Sequence, residues 1–293
     1  MLFPRTFQIV HTGVGLWLKH NAFLHAGALA FFTLFSLAPT LIIAVTVIGV
    51  VLGEDAAQGR IVSQLQEAMG VDAAVFVEQA ILAARIDEAG LMPTIIGVGA
   101  LLVGATTVFG QLRYSLNVLW GVRPGSGQSR FTPLGHFAKT RLLALLVVLL
   151  IGLGFLLYFV AVTAIQVLIT WFHLQGWGLL PGLQLEVLSW GARSATAVLI
   201  TTLFIATLFK LLPNLRVTWR AVLPGALVTA LMLTAGRYGI AAFLTSTAIA
   251  SAYGAAASLL VVLMWVYFSA LLLLLGAALT RAHLEVCAQQ PMD

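Results

Sequence analysis

The chain has 293 residues, of which 61% are hydrophobic and 9% are charged. Soluble domains carry about 45–50% apolar and about 25% charged residues, so this composition excludes an ordinary soluble enzyme, a disordered chain and a typical nucleic-acid-binding domain. The apolar residues form long unbroken runs rather than the alternating pattern of barrel strands. The sequence therefore predicts an all-α, polytopic integral membrane protein. In a membrane protein, the positions of its 15 basic and 10 acidic residues indicate which side of the membrane each connection faces.

The first 25 residues are predicted to form an amphipathic helix rather than a span. Apolar residues recur on one helical face, at Phe3, Phe7, Val10, Val14 and Leu18. Such a helix lies either in the cytoplasmic membrane interface or against the protein's own cytoplasmic surface. The apolar run that follows is too long for the core of a signal peptide, so we expect no cleavable signal.

Six apolar runs are each long enough to cross a hydrocarbon core about 30 Å thick at about 1.5 Å per residue. A helix is the form that closes every backbone hydrogen bond within such a run. The predicted spans are residues 26–52, 93–112, 142–172, 192–212, 221–244 and 255–279. They form one transmembrane domain over residues 26–281, and residues 282–293 are predicted to be a cytoplasmic tail.

Charged residues separate onto the two sides of these spans. Eleven of the 15 basic residues lie before the first span, at the second-to-third and fourth-to-fifth connections, or after the last span. Seven of the ten acids lie in the connection between the first two spans. Since Lys and Arg are retained on the cytoplasmic side, both termini are predicted to be cytoplasmic.

The acidic connection, residues 53–92, is predicted to be an extracytoplasmic helical cap over the spans. Two amphipathic helices joined near Gly70 fit its pattern, with Asp72 as the N-cap of the second. Apolar residues share a face of the first helix at Ile61, Leu65 and Met69, and of the second at Val75, Leu82 and Ile86.

Motifs for catalysis are missing from the sequence. It has no phosphate-binding loop, no H-E-x-x-H, no G-x-S-x-G and no Cys/His spacing typical of a metal site. Cys287 is the single cysteine, which excludes an intramolecular disulfide. No Asp or Glu falls within a predicted span, which argues against a carboxylate proton relay. We therefore expect no enzymatic activity, no built-in ATPase, no cofactor and no bound metal.

Arg237 is the outstanding polar residue of the spans. It lies about 24 Å from the cytoplasmic end of the fifth predicted span, and a buried Arg needs a partner or water. Candidate partners are Glu186, an acid of residues 53–92, a lipid phosphate or an anionic substrate. The alternative is a structural role, in which Arg237 reaches the outer headgroups or pairs with the cap. Its neighbour Tyr238 is grouped with it as a candidate contact residue.

Other polar residues are weaker candidates for contact with lipid or substrate. Arg113 and Asn117 share a face at the cytoplasmic end of the second span, where they either anchor the helix end or bind a ligand. Ser36 and Tyr253 either line a cleft with Arg237 or form contacts between helices. Pro39 is predicted to bend the first span, as a gate or as packing.

Several ordered stretches carry a family resemblance. They are Ala30–Pro39 (AFFTLFSLAP), Leu116–Val122 (LNVLWGV), Leu212–Asn214 (LPN), Val217–Arg220 (VTWR), Pro224–Ala226 (PGA), Ala252–Ala255 (AYGA), Trp265–Phe268 (WVYF) and Leu275–Ala277 (LGA). Together they resemble the YihY/BrkB family of bacterial inner-membrane proteins over residues 30–280. The sequence departs from the family pattern at Ala278, where an acid is frequent, so any role of that acid is in doubt here.

The resemblance implies a six-helix protein of the bacterial inner membrane with both ends in the cytosol. The family is linked to virulence and serum resistance, and transport of lipid-like or other solutes has been suggested for it. An old label as a tRNA-processing ribonuclease has no support in this sequence, since topology accounts for its basic loops. Nucleic acid is not an expected partner.

The function expected from the residues is that of a transporter or lipid translocator without its own ATPase, acting on an anionic amphiphile or solute. The alternative is a non-transporting scaffold or envelope assembly factor. A selective ion channel is disfavoured because the spans carry no rings of charge. Membrane lipids are expected partners, and the Gly- and Ala-rich helix faces are compatible with a homo-oligomer.

Overall fold

The fold is given by a computed structural model, which describes residues 3–69, 71–84, 107–122, 160, 164, 167–168, 171, 182–215, 217–246 and 257–288. Regular structure in these residues is helical, and none of them forms a strand. The helices are α1 (Phe3–Lys19), α2 (Ala22–Leu52), α3 (Glu54–Met69), α4 (Val71–Ala84), α5 (described over residues 107–119), α6 (Gly182–Leu211), α7 (Trp219–Ser246) and α8 (Ala257–Ala288).

Three of these helices contain a segment long and apolar enough to cross a membrane. The segments are Ser194–Leu211, Trp219–Ile240 and Leu259–Val286. A fourth candidate is the bent pair Thr6–Lys19 and Ala22–Leu37, whose axes meet at 65°. The chain is thus an all-helical protein with three or four candidate spans in its described part. The six-span arrangement stays a prediction, because residues 93–106 and most of 142–172 lie outside the described residues.

Helix ends extend beyond the apolar runs that predicted them. Helix α6 begins ten residues before the predicted fourth span, and α8 continues through much of the predicted tail to Ala288. The extension of α8 has visible support, because Ala282 is fully buried and Arg281 pairs with Glu285 one turn on at 2.6 Å. Hydropathy marks the apolar part of a helix, whereas side-chain pairing and packing decide where it ends.

Helices α7 and α8 approach each other closely through a reciprocal pair of Gly-x-x-x-Thr segments. A Cβ at Gly225 would lie 2.8 Å from the Cβ of Thr280, and a Cβ at Gly276 would lie 2.7 Å from the Cβ of Thr229. Each hydroxyl donates to the carbonyl of the glycine four residues earlier, at 2.7 Å for Thr229 and 2.8 Å for Thr280. Both threonines are fully buried, so the seam leaves no hydroxyl unpaired.

Helix α1 packs on the final turns of α8. Gly13 sits against Leu279, where an added Cβ would be 3.1 Å from the Leu279 Cα. Leu16 and Trp17 pack against the apolar core that includes Leu116, Phe209 and Leu274. The apolar face predicted from the sequence points away from this contact, since Phe7 is 71% exposed and Leu18 is 53% exposed.

Helices α3 and α4 pack against each other as a helical hairpin and contact α2 and α8. Ile61, Ala74 and Val77 are buried, whereas Val75 and Leu82 are exposed. The apolar face predicted for the second helix therefore points outward. Asp72 lies inside the first turn of α4, which begins at Val71, rather than at the N-cap position predicted for it.

Candidate functional site

Five basic side chains lie at one end of the bundle, here called the basic end: Lys19, Arg113, Lys210, Arg220 and Arg281. At this end α1, α5 and α6 finish, α2 and α7 begin, and the last turns of α8 pass alongside. Buried side chains of these helices, among them Leu116, Phe209 and Leu274, form the main core. The basic end is thus a polar surface built on a rigid apolar base.

A direct contact joins α5 to the turn between α6 and α7. The Arg113 guanidinium donates to the Oδ1 of Asn214 at 2.5 Å, and the Asn214 backbone N–H donates to the Oδ1 of Asn117 at 2.9 Å. Arg113 and Asn117 are one turn apart and therefore reach the same residue. Asn214 is a neutral partner, so this contact satisfies one Arg113 donor without neutralising its charge.

The C-terminus of α5 is closed by a Schellman motif. Val122 N–H donates to Asn117 O at 2.9 Å, and Gly121 N–H donates to Val118 O at 3.1 Å. Gly121 has a φ of +69°, which glycine adopts without strain. Its missing side chain also admits Arg281, since a Cβ there would be 3.0 Å from Nη1.

Arg281 fastens α8 to the end of α5. Its Nη1 donates to Leu119 O at 2.5 Å, and its Nε donates to Glu285 Oε1 at 2.6 Å. Because Glu285 neutralises Arg281, this residue serves as a tether rather than as a free cation. The indole N–H groups of Trp17 and Trp120 are buried nearby in the same core and have no acceptor among the described residues.

A second polar link joins α2 to α5. The Ser115 hydroxyl lies 2.9 Å from Gln111 O and 3.1 Å from His25 Nδ1. One hydroxyl hydrogen cannot serve both acceptors, so if Ser115 donates to Gln111, His25 is protonated on Nδ1 and donates to Ser115. Either pairing holds the start of α2 against α5.

Positive charge dominates the electrostatics of the basic end. Burial, then the charges of Arg281 and Lys19, and then His25 lower the pKa of His20 in the turn between α1 and α2. Lys210 lies over the ring of Trp219, 4.1 Å from its centroid. An ammonium paired with an exposed indole is typical of the headgroup layer of a membrane.

The candidate pair Arg237 and Tyr238 lies far from the basic end on α7. The Arg237 guanidinium donates to the Tyr238 hydroxyl at 2.8 Å and sits 4.8 Å from the ring centroid. Tyr238 is 58% exposed. Arg237 lies about 27 Å along the helix from Trp219, close to the thickness of a hydrocarbon core. Within the described part of the chain, Tyr238 is the partner that the structure gives to Arg237.

The remaining predicted site residues do not converge with these two groups. Ser36 is buried, and its hydroxyl donates to Thr33 O of its own helix at 3.1 Å. Helix α2 continues through Pro39, whose side chain lies outside the described residues, as does all of Tyr253. Ala278, the position that departs from the family pattern, is fully buried in the core.

Sequence reasoning did not select Asn214, Arg281 or His25 as contact residues. A signal for the first was present, because the LNVLWGV and LPN stretches both lie beside predicted cytoplasmic span ends. The structure brings these two stretches together through Asn117 and Asn214. Among the described residues, no three His, Cys, Asp or Glu side chains are grouped closely enough to hold a metal ion.

Comparison with known proteins gives a family. A profile described as "Virulence factor BrkB" matches residues 15–291. A UPF0761 membrane protein of Nitrosospira multiformis is 29% identical over 95% of this chain and 61% of its own length. One of Pseudoalteromonas translucida is 28% identical over 87% of this chain and 79% of its own length.

One of Stenotrophomonas maltophilia is 29% identical over 98% of this chain and 63% of its own length. The chain thus spans about three fifths of the Nitrosospira and Stenotrophomonas relatives. No solved structure matches it. The sequence resemblance is confirmed, and this chain belongs to the BrkB family of membrane proteins.

Proposed function

We propose that this protein is a translocator that moves an anionic amphiphile, such as a lipid with a phosphate-bearing headgroup, across the bacterial inner membrane without its own ATPase. Its role is binding and movement rather than enzymatic chemistry, and it needs no cofactor or metal. The basic end is proposed to face the cytoplasm, with both termini on that side.

The observation that carries this proposal is the Arg237–Tyr238 pair. Its guanidinium is partnered by a neutral phenol, and the phenol is exposed on a helix of membrane-spanning length. An Arg at membrane depth needs compensation for its charge. A phosphate headgroup supplies that charge, because a guanidinium binds phosphate with paired hydrogen bonds.

The basic end supplies a second group of positive charges, on the opposite side of the membrane from Arg237. Arg113 keeps its charge while bound to Asn214, and Lys210 is paired with an aromatic ring rather than a carboxylate. Anionic headgroups are therefore attracted at both ends of α7. Between them α7 presents one apolar exposed face that includes Leu223, Leu227 and Leu231, as a surface in contact with acyl chains requires.

The proposal is tested by lipid translocation in proteoliposomes. Purified protein is reconstituted with a fluorescent anionic lipid, and dithionite bleaches the accessible leaflet. Bleaching beyond half of the fluorescence is the expected result; it should be lost in Arg237→Ala and reduced in Arg237→Lys, which keeps the positive charge but not the paired hydrogen bonds. Tyr238→Phe removes the phenol donor and acceptor while leaving the guanidinium in place, so translocation is expected to persist.

Arg60→Ala is the matched control, because it removes one positive charge from an exposed position on α3, outside the two groups proposed to attract headgroups. A correctly folded protein whose bleaching stops at half would reject unassisted translocation of that lipid. Equal losses in Arg60→Ala and Arg237→Ala would reject a specific role for Arg237.

A membrane scaffold or envelope assembly factor is the second candidate function. The observation that favours it is the apolar stripe on α4, where Val71, Val75 and Leu82 are exposed. A protein partner could cover such a stripe. Copurification of one stoichiometric partner that is lost in Val75→Glu, together with absent lipid movement, would favour this function. A homo-oligomer formed through small-residue helix faces is compatible with either proposal.

A further inference from the structure

Helix α1 presents three different sides around its circumference. One side contacts the bundle, where Gly13 is buried against Leu279 and Trp17 packs against the apolar core. Gly13 and Trp17 each precede a residue of an apolar stripe by one position, and consecutive residues of a helix lie about 100° apart. The stripe is therefore turned away from the bundle. Its members are 36–71% exposed: Phe7, Val10, Val14 and Leu18.

The third side of α1 is polar and open. Its members each follow a stripe residue by one position, and all are exposed: Gln8, His11, Gly15 and Lys19. A Cβ added at Gly15 would meet no heavy atom of the described residues within 4 Å. A surface helix in water needs only a buried side and a polar side. A separate exposed apolar side between the two is typical of a helix that also contacts lipid.

Contacts along α8 give the depth of α1. Gly13 lies against Leu279, and the next residue, Thr280, faces Gly225 of α7. Gly225 lies about 9 Å along α7 from Trp219, toward the middle of that helix. The cation–aromatic pair that contains Trp219 has the character of the headgroup layer, so the middle of α1 lies about 9 Å inside that layer. Interfacial helices bury their apolar side to about this depth, roughly 5–10 Å.

The direction of α1 also fits a helix at the membrane surface. The axes of Thr6–Lys19 and Ala22–Leu37 meet at 65°. Asn21 makes the bend in left-handed backbone, with a φ of +52°, a conformation that Asn adopts more readily than most residues. With α2 along the membrane normal, α1 lies closer to the membrane plane than to the normal.

Charge indicates which lipid covers the stripe. Helix α1 contains two basic residues, Arg5 and Lys19, and no acid. Lys19 is exposed directly beside the last stripe residue. Glu285, on the neighbouring turns of α8, is already paired with Arg281 at 2.6 Å. The surroundings of the stripe therefore carry net positive charge, which attracts anionic headgroups.

We propose that α1 lies in the leaflet at the basic end, with the acyl chains of anionic phospholipid covering the Phe7–Val10–Val14–Leu18 stripe and Lys19 among the headgroups. Of the two positions that the sequence leaves open for this helix, the proposal selects the membrane interface over the protein's own surface. It also makes α1 a separate surface helix rather than the first half of a span shared with α2. This inference does not depend on lipid transport.

Spin labels on single cysteines test where each side of α1 points. The protein is reconstituted in vesicles of phosphatidylcholine and phosphatidylglycerol, in the Cys287→Ser background. Val14→Cys labels the stripe, and Gly15→Cys labels the polar side one position later, so the two variants are matched. Leu227→Cys, exposed midway along α7, is the lipid reference.

Oxygen partitions into the bilayer, whereas a neutral nickel chelate stays in water. We expect the ratio of oxygen to nickel accessibility to be several-fold higher at position 14 than at position 15 and close to that at position 227. A second pair, Val10→Cys and His11→Cys, should show the same difference. Equal ratios within the pairs would overturn the proposal. Low access of both reagents at positions 10 and 14 would also overturn it, by showing that protein covers the stripe.

Nitroxide-labelled lipids test the preference for anionic headgroups. A fluorophore on Val14→Cys is quenched in vesicles with equal fractions of acyl-chain nitroxide on either phosphatidylglycerol or phosphatidylcholine. We expect quenching by phosphatidylglycerol to be about twofold stronger at low salt. The excess should shrink in Lys19→Gln and persist in Arg60→Gln, which removes an exposed charge on α3. Equal quenching by the two lipids would overturn the assignment of an anionic lipid.

Discussion

At the scale of single residues, the Arg113–Asn214 contact separates a structural role from a ligand-binding one. Asn214→Asp converts a charge–dipole contact into an ion pair and leaves the backbone donor to Asn117 intact. We expect a gain of about 0.5–1 kcal/mol in stability, because the pair is partly exposed. If headgroups use the Arg113 charge, translocation should fall as stability rises. Thermal unfolding in detergent and the dithionite assay measure the two effects.

Asn214→Ala is the matched variant for this experiment. It removes the side-chain acceptor at a cost of about 1 kcal/mol but leaves the Arg113 charge free. We expect it to lower the unfolding midpoint and to retain more translocation than Asn214→Asp. Equal translocation in the wild type and Asn214→Asp would remove Arg113 from the lipid path.

The turn between α1 and α2 should make stability depend on pH. Burial, followed by the nearby positive charges, lowers the pKa of His20 below its ordinary value of 6.5. The unfolded chain therefore binds a proton at a higher pH than the folded protein does. Stability should fall as the pH drops below about 6.5, until the folded-state pKa is passed.

His20→Gln removes this titration. The measurement is the unfolding midpoint in detergent between about pH 8 and pH 5, a range centred on the ordinary His pKa of about 6.5. The midpoint of the wild type should fall more steeply than that of His20→Gln, with His11→Gln, in an exposed position, as the control. Parallel pH profiles of the wild type and His20→Gln would contradict the prediction.

At the scale of helices, the contact of α7 with α8 depends on two glycines that admit threonine side chains. Gly225→Ala would place a Cβ 3.1 Å from the Thr280 backbone, so the helices must separate. We expect a loss of about 1–3 kcal/mol, the usual cost of overpacking. Denaturant titration in mixed micelles measures it.

Gly239→Ala is the control on the same helix, because no heavy atom of the described residues lies within 4 Å of its added Cβ. Alanine is the better helix former by about 1 kcal/mol, so this variant should be neutral or slightly more stable. A similar effect of the two substitutions would show that helix propensity, and not the seam, determines stability.

The helices themselves were accessible from the sequence, and their mutual contacts were not. The apolar runs near Ala26, Ala221 and Ala255 predicted helices that the structure contains with shifted ends. Hydropathy responds to burial from water and does not distinguish lipid from protein. For that reason it could not identify the Gly225–Thr280 contact or the outward face of α4.

The candidate site was likewise predictable within one helix and not predictable between helices. Arg113 and Asn117 were predicted as a pair because helical spacing places them on one face. Their partner Asn214 is 97 residues from Asn117, and only the packing of α5 against the α6–α7 turn brings the two together. The isolation of Arg237 from acids of its own helix could be predicted, whereas its pairing with the adjacent Tyr238 could not.

At the scale of the whole molecule, the charge asymmetry predicts which end faces the cytoplasm. The basic end combines Lys19, Arg113, Lys210, Arg220 and Arg281, while residues 53–92, which include α3 and α4, carry seven of the ten acids. Retention of basic residues on the cytoplasmic side orients the bundle. In the Cys287→Ser background, Lys19→Cys should react with an impermeant maleimide only after the membrane is opened, and Ala56→Cys should react in intact spheroplasts.

Both positions are exposed, so labelling reports sidedness rather than burial. The parent without cysteine controls for background. Reaction of Lys19→Cys in intact spheroplasts would invert the topology, and with it the extracytoplasmic side predicted for the α3–α4 hairpin. Reaction of both positions only after opening would place both on the cytoplasmic side. Helix α2, which is about 45 Å long between Ala22 and Leu52, would then not cross the membrane.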